Sequence, residues 1–102
     1  MKNFESYSIQ KFYSSSFFDT QSLKAIYTLN QTNAPEVGFL DSLDYLKELL
    51  EKSYMNFCVR NDNEIIGLMV CFREGSDYSS ENYKFFTDNE NHFLYIDRVV
   101  IK

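Results

Sequence analysis

Leu43, Leu46, Leu49 and Leu50 fall at i, i+3, i+6 and i+7, the spacing of one buried helical stripe, with Tyr45 at its edge. Lys47, Glu48, Glu51 and Lys52 take the other side, and Asp41 or Ser42 can cap the first turn, so the pattern predicts a helix over 41–53. A second helix is predicted over 21–30. There Leu23, Ala25, Ile26, Tyr27 and Leu29 crowd a helical pattern behind a cap at Asp19 or Thr20. It must stop before Pro35, because the residue preceding a proline avoids helical angles.

Alternation takes over elsewhere. Tyr7, Ile9 and then Phe12, with one slip, predict a first strand over 7–13, and Ser14-Ser15-Ser16 reads as a loop. Phe57-Cys58-Val59 is the apolar centre of a strand over 54–60. Asn61-Asp62-Asn63 is a turn, and 64–73 is the return strand of an antiparallel hairpin. Gly67 inside that return strand marks a bulge or a close approach. Residues 74–91 are polar, with Tyr78, Tyr83, Phe85 and Phe86 interleaved, and Asp77, Ser79 or Ser80 can cap a short helix over about 80–86. The last stretch, 93–101, is a β-branched and aromatic strand interrupted only by Asp97 and Arg98.

Composition narrows the chemistry. A chain of 102 residues is one domain's worth, and 44% hydrophobic with 25% charged residues is neither a disordered nor a membrane composition. No apolar run approaches a membrane span, and Lys2-Asn3-Phe4-Glu5 does not open a signal peptide, so a cytoplasmic protein is expected. Only three glycines occur, Gly38, Gly67 and Gly75, too dispersed for a phosphate-cradling loop. A net charge of −5 argues against a nucleic-acid partner. The acids concentrate between Asn61 and Asn91, which reads as a solvated flap or as a surface attracting a cationic amine. Cys58 and Cys71 sit in apolar stretches and are expected as buried thiols on neighbouring strands. One histidine, His92, leaves no zinc set and no metal site is expected.

Three stretches go beyond pattern: Leu29-Asn30-Gln31-Thr32-Asn33-Ala34-Pro35-Glu36-Val37; Phe72-Arg73-Glu74-Gly75-Ser76-Asp77-Tyr78, with Asn82-Tyr83 just beyond; and Phe93-Leu94-Tyr95-Ile96-Asp97-Arg98-Val99-Val100. With the element order, they resemble the first half of a GNAT N-acetyltransferase, from about Ser6 to Lys102, and within it a bacterial subfamily of small GNAT acetyltransferases. The resemblance implies an α/β (α+β) fold with a mixed, mostly antiparallel sheet, two N-terminal helices and the order β-α-α-β-β-(short helix)-β. It implies acetyl transfer from acetyl-CoA to a small-molecule or peptide amine by direct attack.

In such proteins the fourth strand lays its backbone along the pantetheine arm, which here points to Val99, Val100 and Ile101. The pyrophosphate loop Arg/Gln-x-x-Gly-x-Gly/Ala would follow that strand, so the chain is expected to be the N-terminal portion of such a domain, with little or no turnover alone. By the same resemblance Asp97 is a candidate general base. The residues leave open a plain ion pair of Asp97 with Arg98 or with Arg73. Tyr78, Tyr83 and Tyr95 are candidates for lining an acceptor pocket, Glu74 and Asp77 for holding an amine, and Arg73 and Arg98 for gripping a substrate carboxylate. The alternative is a non-catalytic half-domain that associates through its exposed last strand, as a homodimer or complemented by another chain.

Overall fold

The computed structural model describes residues 7–78 and 80–102; the reading of Lys2 to Glu5, the start of the resemblance at Ser6 and the capping option at Ser79 lie outside them. Four strands form one antiparallel sheet in the order β1-β2-β3-β4: β1 (Tyr7–Phe12), β2 (Met55–Asn61), β3 (Glu64–Arg73) and β4 (Leu94–Ile101). Three helices join them: α1 (Thr20–Thr32), α2 (Leu43–Lys52) and α3 (Glu81–Asn89). The fold is a mixed α+β arrangement.

Local chemistry starts each helix. Asp19 accepts from the Ser22 N–H at 2.8 Å, Ser42 from the Tyr45 N–H at 3.0 Å and Ser80 from the Tyr83 N–H at 3.4 Å, filling donors that a helix leaves open at its start. The α1 helix runs two residues past the predicted end, to Thr32, and Asn33 caps it. The Ser14–Ser16 loop is tightened into a 3₁₀ turn over Ser15–Phe17, fixed to α2 by Glu51, which accepts from the Ser15 N–H and hydroxyl.

One core cluster joins the three helices to one face of the sheet. Leu23, Ile26 and Leu29 of α1, Leu46, Leu49 and Leu50 of α2 and Tyr83 of α3 pack with Phe12, Leu68, Phe72 and Val100 of the strands. The slip in β1 has a simple origin: Phe12 points into this core while Tyr7 and Ile9 point out of the opposite face. Cys58 and Cys71 are buried free thiols on neighbouring strands, and burial raises both above the usual thiol range.

Two register breaks shape the sheet. Val59 pairs with Gly67 and Arg60 with Ile65, so Ile66 is an extra residue in β3; a Cβ on Gly67 would sit 3.0 Å from Ile101 Cδ1 and 3.3 Å from Val59. Val70 pairs with Arg98 and Cys71 with Ile96, so Asp97 is the extra residue in β4. This second bulge turns Asp97 and Arg98 to the helix side together and re-phases the strand, burying Val100 and exposing Val99 and Ile101.

Among the described residues, no helix covers the other face of the sheet. Tyr7, Ile9, Leu94, Ile96, Val99 and Ile101 remain 47–73% exposed there. Among the described residues, no helix is long and apolar enough to cross a membrane.

Candidate functional site

The β4 bulge gathers a buried polar cluster. The Asp97 and Arg98 side chains are only 5% and 8% exposed, and Arg98 Nε donates to Asp97 Oδ2 at 2.7 Å. Tyr78 donates its hydroxyl to Asp97 Oδ1 at 2.6 Å. The Arg98 guanidinium also donates to Asn30 Oδ1 at 2.7 Å and to the Gly38 carbonyl at 3.1 Å. Both carboxylate oxygens are therefore engaged, and the arginine reaches α1 and the loop after it through Nη1. A buried ion pair is costly unless its remaining donors and acceptors are satisfied in this way. Of the two sequence-level partners for Asp97, the structure pairs it with Arg98.

Each of the three stretches that carried the resemblance contributes here: Asn30 from the first, Tyr78 from the second, Asp97 and Arg98 from the third. Asn30 is fully buried, and its amide donates to the Gly38 carbonyl and to Gln31, which in turn holds the backbone of Leu40. Sequence reading passed over Asn30 and Gly38 as site residues. The available signal was an asparagine four residues after Ile26, on the buried side of α1.

Tyr78 is held from behind by Phe72, whose ring stacks on it at 4.1 Å and 3°. Burial foremost, then the hydrogen bond to Asp97 and its charge, raise the Tyr78 phenol well above the usual tyrosine range. Tyr83 donates to the Arg73 carbonyl and accepts from the Ser76 N–H at 2.8 Å, so its hydroxyl is committed to backbone. Tyr95 packs on the ring of Tyr83 at 5.8 Å and extends the same aromatic group. These rings make a wall beside the polar cluster.

The remaining candidates lie apart from it. Arg73 is 44% exposed, stands over the Tyr54 ring at 5.0 Å and pairs with Glu74 at 3.3 Å. Asp77 is fully exposed, 4.0 Å from Lys52. Glu74 accepts from the Phe93 N–H at 3.2 Å and faces His92 at 3.4 Å. The Phe93 hydrogen bond, then its own backbone N–H, hold the Glu74 carboxyl down at about 2 against an ordinary 4.5. Because the folded value is depressed, its contribution to stability is present above pH 4.5 and is lost as pH falls towards about 2. Glu74→Gln is expected to flatten that part of the acid limb in a plot of Tm against pH. An acid limb of unchanged steepness would assign it to other carboxylates.

Val99 and Ile101 are exposed on the bare face, while Val100 belongs to the core. β4 pairs with β3 alone and is an edge of the sheet among the described residues. The Lys102 N–H donates to the Ile66 carbonyl at 2.8 Å. By antiparallel alternation, Val100 then turns its backbone groups to β3, and Val99 and Ile101 turn theirs to the free edge. A cleft of about 640 Å³ lies between α1 and the β2–β3 turn, edged by Lys24, Thr28, Asn63, Glu64 and Lys102; none of the site residues expected from sequence lines it. Comparisons with protein-family models, with curated proteins and with solved structures returned no match.

Proposed function

We propose that this chain is the N-terminal portion of an acetyl-CoA-dependent N-acetyltransferase domain. The observation that carries the reading is the bulged edge strand: Val99 and Ile101 direct N–H and C=O groups away from the sheet, where two extended amides can complete the ladder. Pantetheine is a chain of that kind, carrying two amides at strand-like spacing, so the residues present fit the arm of the cofactor. Acetyl-CoA, when bound, supplies an acetyl group activated as a thioester.

The chain's own residues would act in two ways. The Val99–Ile101 edge would bind and align the arm. The Tyr78–Asp97–Arg98–Asn30 cluster would hold the bulge rigid, so that the backbone on either side of it keeps its direction. In this reading Asp97 is a positioning residue. Both of its oxygens are occupied and it has almost no solvent contact, a poor setting for taking a proton from an incoming amine. The acceptor amine would approach from the acid-rich 74–93 segment, where Asp77, Glu81, Asp88 and Glu90 are all exposed.

Titration of the ¹⁵N-labelled chain with millimolar acetyl-CoA tests the proposal. Amide shifts confined to the Val99–Ile101 edge and its β3 neighbours are expected, with little or no acetyl transfer to a panel of amines. No shift at any β4 amide would overturn the reading.

A further inference from the structure

The bare face of the sheet is the largest feature that the acetyl-transfer reading leaves without a role. An antiparallel sheet with one solvated face ordinarily alternates apolar-in and polar-out. Here most of the outward positions are apolar, with Lys11 and Arg73 as exceptions, and the apolar ones form a trough of about 350 Å³. Phe57, Val59 and Met69 make its floor, Ile9 one wall, and Val99 and Ile101 the other. The missing side chain at Gly67 leaves Val59 and Ile101 as the neighbours of that position.

Two observations identify what covers it. The first is area. Six large apolar side chains at 47–73% exposure, with the half-buried floor beneath them, present on the order of 700 Å². That exceeds the roughly 300–600 Å² of the largest patch on a typical monomer and is close to the ~800 Å² each partner contributes to a standard interface. The second is charge. The chain has 15 acidic residues and a net −5, yet the positions that face outward between Tyr7 and Lys11, Met55 and Val59, Gly67 and Arg73, and Leu94 and Ile101 include no Asp or Glu and only two bases, Lys11 and Arg73. Two copies can therefore bring these faces together while their acids stay apart on other surfaces, and a basic partner finds nothing here to attract it.

We infer that this face is closed by the same face of a second copy of the chain, two sheets packing about 10 Å apart around a two-fold axis. The β4 wall of each copy, Val99 with Ile101, lies in the trough of the other, which fills both grooves. The contact uses side chains of the face and leaves the β4 backbone edge free.

Sedimentation equilibrium of the full chain through the micromolar range tests it, with circular dichroism confirming the fold of each variant. The expected mass is twice the 12.1 kDa of the chain. Met69→Lys places a charge at the centre of the face. Ile9→Lys does so at a side chain already 73% exposed, where no core contact is at stake. Each is expected to leave only monomer over the same range. A wild-type monomer would overturn the inference, as would open-ended assembly. So would a dimer that survives Ile9→Lys, the result expected of pairing through the β4 edge.

Discussion

Arg98→Ala is expected to cost about 3–5 kcal/mol of folding stability, the range for removing one partner of a buried ion pair, out of a total on the order of 5–15 kcal/mol for a domain. The loss comes from what is left behind. Asp97, 5% exposed in the intact cluster, would keep one donor, Tyr78, while Asn30 Oδ1 and the Gly38 carbonyl would each lose the guanidinium. Because these groups belong to α1, to the loop after it and to β4, the effect spreads to three segments. Denaturant unfolding checks the magnitude. A cost below about 1 kcal/mol, the worth of a surface pair, would show that the cluster does not secure the bulge. The double variant Asp97→Leu/Arg98→Met separates the pair from its charge. Replacing both partners by apolar groups removes the uncompensated charge, so it is expected to recover that part of what Arg98→Ala loses, while Asn30, Gly38 and Tyr78 stay without their partners.

The same residues show what a sequence can and cannot reveal here. The leucine stripe of α2 and the 61–63 turn are local patterns, and the structure keeps them with shifts of a residue or two. Asp97 and Arg98 were visible as an interruption in an apolar strand. Their joint turn to the helix side was not, because strict alternation places Asp97 with Val99, and only the bulge breaks that phase. Asn30 was hidden for another reason. Its place on the buried side of α1 could be read from its spacing to Ile26, but its partners Arg98 and Gly38 lie 68 and 8 residues away, and no local pattern points to them. In β1 the slip in alternation was legible. Its meaning, two apolar sets facing opposite sides, required knowing that both faces of the sheet are apolar.

Phe72→Ala is expected to produce the second large effect, and it joins the core to the site. Phe72 is fully buried in β3, so its truncation leaves a cavity worth about 3–5 kcal/mol in lost stability. Its ring is also the surface on which Tyr78 stacks, and that stack carries the Tyr78 hydroxyl to Asp97. Without it, water reaches the phenol and the burial that chiefly raises its ionisation is reduced. The Tyr78 ring signal in an alkaline NMR titration should then move back towards ordinary tyrosine, alongside the drop in the denaturant midpoint. Tyr78→Phe provides the contrast: the stack is kept, and about 1–3 kcal/mol is lost for an Asp97 oxygen left without its donor. If Phe72→Ala lowers stability and leaves the Tyr78 titration unchanged, the aromatic wall supports the core alone, and the hydroxyl is held over Asp97 by the 74–78 backbone instead.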